Sequence, residues 1–152
     1  MTAAAAPLIA VNLLAASIWV GGLVAIFIVA RVASATLEPA PRVAFFRRLG
    51  RVYGIVGSAA LLVALVSGAI LLGDHPWDGL LIATAIVAAG LLAASVAGMA
   101  QARAMTRLRQ RAFGSPELGD RVRRGAALAA ALRGLIAALT LALVVLAAAL
   151  VA

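Results

Sequence analysis

The sequence predicts an all-α polytopic membrane protein, a single domain over residues 1–152 whose four transmembrane helices form an antiparallel bundle with both termini outside. Three observations lead there. Of the 152 residues, 66% are hydrophobic and 12% charged, whereas a soluble domain carries about 25% charged and 45–50% apolar residues. Apolar runs recur four times along the chain, each reaching the roughly 18 residues needed to cross a bilayer. All thirteen basic residues are arginine, and twelve of them crowd into two of the three segments between those runs.

The first run spans approximately 7–30. No Lys or Arg precedes it, and it exceeds the roughly 7–15 apolar residues of a signal-peptide core, so a retained helix is expected. The second, third and fourth runs cover approximately 52–73, 79–100 and 126–152. The last is long enough to tilt or to extend beyond the hydrocarbon. None alternates polar and apolar residues as a membrane β-strand would. Helices are then the remaining way to satisfy a lipid-exposed backbone.

The segments between runs set the expected orientation. Residues 31–51 hold five arginines and Glu38, residues 101–125 hold seven with Glu117 and Asp120, and Asp74-His75-Pro76-Trp77-Asp78 holds two aspartates and no arginine. The positive-inside rule places the arginine segments in the cytoplasm and the acidic turn outside. Pro39 and Pro41 are expected to break the first inner linker, and Gly114-Ser115-Pro116 the second. Residues 42–51 then read as a short amphipathic lead-in to the second span, and 101–111 as a cytoplasmic extension of the third. Tyr53 and Trp77 fall where interfacial aromatics are common. A net charge of +8 distributed in this way predicts no nucleic-acid binding. The expected partners are the lipid bilayer and a second copy or a larger membrane complex.

Apolar burial does not drive helix association in lipid, so small residues and interhelical hydrogen bonds carry more of it. Rows at four-residue spacing are candidate contact faces: Ser17, Gly21 and Ala25 on the first span; Ala60, Ala64 and Gly68 on the second, beyond a Gly50/Gly54 step; Gly90, Ala94 and Gly98 on the third; Ala126, Ala130, Gly134 and Ala138 on the fourth.

Candidates for chemistry are few, because intramembrane polar groups are scarce. Arg133 is the one charge within a predicted span. It stands roughly 12 Å along the helix from the span's start, so three placements are open. It snorkels to the interface, or the span begins only near Gly134 with about 19 residues left to cross, or it faces inward and binds an anionic group such as a haem propionate, a quinone oxygen or a lipid phosphate. His75, the only histidine, lies between Asp74 and Asp78, an imidazole and two carboxylates that can hold a divalent metal weakly. Met99 and Met105 offer thioethers to copper(I) but lie toward the other end of the third span. There is no cysteine, no carboxylate within a span, no Ser/His/Asp set and no phosphate-binding loop. A non-enzymatic protein without a resident cofactor is expected.

The stretch Asn12-Leu-Leu-Ala-Ala-Ser-Ile-Trp19-Val-Gly21-Gly22 puts Asn12 and Trp19 on one helix face two turns apart. Its form, N-x6-W-x-G-G, resembles the H-x6-W-x-G-G first helix of CopD-type copper-resistance membrane domains and related small bacterial membrane families. The segment Phe45-Phe46-Arg47-Arg48-Leu49-Gly50-Arg51 is similar to the basic approach to their second helix. The likeness covers the first half of the chain, and the second half by hydropathy. HemJ-type haem proteins have a more distantly similar first helix. The resemblance implies a multi-pass protein of the bacterial cytoplasmic (inner) membrane. It also implies a copper or haem ligand at position 12, with Trp19 beside it, but Asn12 stands where the family has histidine. An amide does not replace imidazole on a soft metal or haem iron, although it hydrogen-bonds well across a helix interface. The leading expectation is a structural or accessory role. The alternatives are copper or metal homeostasis, small-solute transport, or a haem- or quinone-associated oxidoreductase subunit.

Overall fold

A computed structural model describes residues 5–73, 75–111 and 119–151. It is all-helical, with α1 at Ala5–Thr36, α2 at Pro39–Leu71, α3 at Gly79–Arg111 and α4 at Gly119–Val151. All four are long and apolar enough to cross a membrane. At 1.5 Å per residue, helices of 32 or 33 residues are about 48–50 Å long, against a hydrocarbon core of about 30 Å. Each apolar run is therefore part of a longer helix, at the C-terminal end of α2 and α4 and the N-terminal end of α3, and the excess length carries arginine on all four helices.

This corrects the first inner linker. Residues 31–51 are helical except at Leu37 and Glu38. Pro39 does not break a helix but begins one: its ring presets the helical φ, and its missing N–H falls where no intrahelical partner exists. Glu38 precedes it in extended conformation (φ −61°, ψ 159°), and its carbonyl accepts the first α2 bond from Arg42 N at 3.0 Å. The amphipathic lead-in at 42–51 is continuous with the second span. The extension at 101–111 is helical as expected, and Gly114-Ser115-Pro116 lies outside the described residues.

The chain divides into two compact units, Met1–His75 and Pro76–Ala152. Each is an antiparallel helical hairpin. In the first, buried or half-buried positions on α1 include Asn12, Ala15, Trp19, Gly22, Ile26, Val29 and Ala33. Their alternating spacing of three and four is the seam of a left-handed helix pair. In the second, Gly125, Ala129, Leu132, Ile136, Leu139, Leu143 and Leu146 on α4 repeat that spacing. Gly90 and Gly98 of α3 lie near Leu139 and Ile136.

Two of the four small-residue rows meet the partner helix of their hairpin and two do not. Ala60, Ala64 and Gly68 belong to the α1–α2 seam, and Gly90, Ala94 and Gly98 to the α3–α4 seam. Ser17, Gly21 and Ala25 are exposed, as are Ala126, Ala130, Gly134 and Ala138. In an alanine-rich chain a row at strict four-residue spacing drifts around the helix, whereas the contact stripe follows 3.5.

Candidate functional site

Asn12 lies on the α1 seam and points its amide at α2. Nδ2 donates to the Ala64 carbonyl at 2.8 Å and to Ser67 Oγ at 2.9 Å. The Ala64 carbonyl can only accept, which fixes which end of the amide faces it. Ser67 is buried, and its hydroxyl donates to Val63 O at 2.6 Å within its own helix. That back-bond turns the oxygen lone pairs toward α1. Gly68 leaves room for the approach, since a Cβ there would stand 3.4 Å from Asn12 Nδ2. Asn12 thus bridges the helices through both amide hydrogens.

Two turns along α1, Trp19 is buried and its carbonyl accepts a hydrogen bond from Tyr53 Oη at 3.1 Å. The Tyr53 ring lies over Gly22, where any Cβ would collide with it, and against Gly57, whose Cβ would lie 3.1 Å away. Of the paired glycines only the second matters to this contact, because a Cβ on Gly21 would have nothing within 4 Å. The N-x6-W-x-G-G stretch is therefore a docking strip for α2. Tyr53, read from the sequence as an interfacial aromatic, is part of that strip. The signal that could have found it is the match of one large ring to two small residues, Gly22 and Gly57.

Nearer the inter-helix turn, Arg42 Nη1 donates to Ser34 O at 3.3 Å. This sets a cation at the C-terminal end of α1, where unpaired carbonyls favour positive charge. In the second unit, Arg133 is exposed, at the flank of the Gly125/Leu132/Leu139 stripe of α4. Met105 covers Gly125 with its sulfur, and Gln101 Nε2 reaches Gly125 O at 3.4 Å.

The acidic turn is committed locally. Asp78 Oδ1 accepts from Leu81 N at 2.8 Å and caps the start of α3. His75 is exposed, with its backbone N–H bonded to Leu72 O at 3.0 Å, and Asp74 lies outside the described residues. Trp77 is 80% exposed. Among the described residues no three His, Asp or Glu side chains gather as a metal site would require.

No protein-family model, curated protein or solved structure matches the chain.

Proposed function

We propose that this protein is a multi-pass protein of the bacterial inner membrane, CopD-like in architecture, with a structural or accessory role and no ligand centre at position 12. The observation that carries this reading is the double hydrogen bond from Asn12 to Ala64 and Ser67. Where the resemblance would put an imidazole for metal or haem, this chain has an amide whose two hydrogens are engaged in joining α1 to α2. The large apolar side chains left exposed on every helix, among them Leu14, Phe27, Ile55, Ile86 and Leu141, support lipid as the surroundings, because a soluble monomer rarely exposes such faces. Both arginine-rich segments then lie in the cytoplasm and both termini outside.

Purified protein should carry neither a haem absorbance band nor stoichiometric copper. A stoichiometric chromophore would overturn the reading in favour of a haem- or quinone-linked subunit using Arg133. Copper bound one to one and lost on His75→Ala would overturn it in favour of metal handling at the Asp74/His75/Asp78 turn. Orientation has a separate readout in single-cysteine variants. Ser115→Cys should be shielded from an impermeant thiol reagent added outside intact cells, and Gly79→Cys should react. The opposite labelling pattern would reverse the topology.

A further inference from the structure

At the start of α2 three guanidinium groups share one face. Arg47, Arg48 and Arg51 are all exposed and, with Ala44 and Val52, border an open hollow of about 460 Å³ along the helix. Spacings of three and four residues put Arg47 and Arg48 within reach of Arg51. Residues 1–73 contain a single acid, Glu38, and no ion pair joins it to these three arginines among the described residues. Arg42, the other arginine of this helix, is already bonded to Ser34 O. Three like charges in adjacent turns of one helix repel one another unless an anion lies between them.

The same helix face continues as an exposed apolar stripe. Val52 is 59% exposed, Ile55 71%, Leu62 50% and Val66 58%. With the exposed Ala59 between Ile55 and Leu62, their spacing continues from Arg48 in the alternating three-and-four-residue pattern. Phe45, 40% exposed, stands beside the arginines with its ring edge-on to Phe46, centroids 5.6 Å apart. A basic head thus leads directly into an apolar track roughly 20 Å long, counted as the 14 helical steps from Val52 to Val66.

We propose that Arg47, Arg48 and Arg51 hold the phosphate of an anionic phospholipid whose acyl chains lie along Val52, Ile55 and Leu62. This rests on the membrane reading above and adds a ligand to it. Guanidinium forks suit phosphate oxygens better than ammonium groups do, and basic groups at the cytoplasmic end of a span attract anionic headgroups. The charge selects the headgroup, and the apolar track distinguishes a lipid from a free phosphate ion.

The test is native mass spectrometry of the full-length protein in detergent, titrated with phosphatidylglycerol or with phosphatidylcholine of matched chains. The wild type should retain phosphatidylglycerol about tenfold or more better than phosphatidylcholine. The triple variant R47Q/R48Q/R51Q should lose that preference, while R103Q/R124Q/R133Q, with equal charge removed elsewhere, should keep it. R47K/R48K/R51K should retain a preference intermediate between wild type and the glutamine variant. Equal loss in both glutamine triples, or no preference in the wild type, would overturn the proposal. Displacement of bound lipid by inorganic phosphate at constant ionic strength would overturn the lipid assignment in favour of an ion site. Alkaline extraction of native membranes separates this from the broader reading. Protein released by carbonate would sink the membrane reading itself, and protein that stays in the pellet without lipid preference would sink only the site.

Discussion

Across the α1–α2 seam an amide, a hydroxyl and a phenol join one helix to the other. Asn12 reaches Ala64 and Ser67, and Tyr53 reaches the Trp19 carbonyl. Across the α3–α4 seam the contacts are mainly methyl and thioether groups resting on glycine, with Leu139 at Gly90, Ile136 at Gly98 and Met105 at Gly125. Gln101 spans the gap only at 3.4 Å, long for an amide hydrogen bond. Thr84 and Ser95 donate to carbonyls of their own helix. Among the described contacts, two hairpins of nearly equal helix length therefore use different means. One has directional bonds that specify register, and the other has adaptable side chains on small residues, which specify closeness more than alignment.

The sharpest way to break the contrast is at Gly22. The Tyr53 ring is stiff and held between Gly22 and Gly57 with its hydroxyl bonded, so Gly22→Leu should expel it and destabilise the first hairpin by about 2–4 kcal/mol. Gly21→Leu, one residue away, should change stability by about 0.5 kcal/mol or less. Reversible unfolding in mixed SDS micelles, followed by tryptophan fluorescence, measures both, and equal effects would refute the assigned helix phase. Next comes Asn12→Leu, expected to lose about 0.6–2 kcal/mol. A double-mutant cycle with Ser67→Ala should show that the two losses are not additive, and strict additivity would mean that the pair does not interact. Tyr53→Phe keeps the ring and removes the hydrogen bond, for a loss of about 0.5–1.5 kcal/mol in the same assay. The smallest effect is expected in the second hairpin. Gly125→Ala meets the sulfur of Met105, whose unbranched chain can swing aside, so the loss should stay below about 1 kcal/mol. A loss as large as that of Gly22→Leu would erase the distinction between the seams.

Much of the fold was legible because hydropathy speaks directly to helix number and the spans are long. Helix ends were less so. Proline reads as a breaker in a linker and as a starter at a helix N-terminus, and only the conformation of Glu38 distinguishes the two at Pro39. The Asn12 bridge was readable as a need, since an amide in lipid wants a partner, but its acceptors were not, because Ala64 contributes a main-chain carbonyl that no side-chain pattern reveals. Gly21 and Gly22 are equivalent in composition and differ by about 100° around the helix, so the choice between them is a matter of rotation, fixed only when Tyr53 arrives. The arginines of α2 were informative as a sum, for orientation. Their grouping on one face emerges only once the residues after Pro39 are continuous helix.

The bridge from Asn12 to Ser67 spans 55 residues of sequence, which has a consequence during synthesis. At about 5–20 residues per second, Asn12 is polymerised roughly 3–11 s before its partner hydroxyl. On the membrane reading proposed above, the Asn12 amide must be served throughout that interval by water, by lipid headgroups or by the insertion machinery. The first helix is thus a guest with one unmet obligation until the second is made, and the order of translation, rather than the final packing, decides who meets it meanwhile.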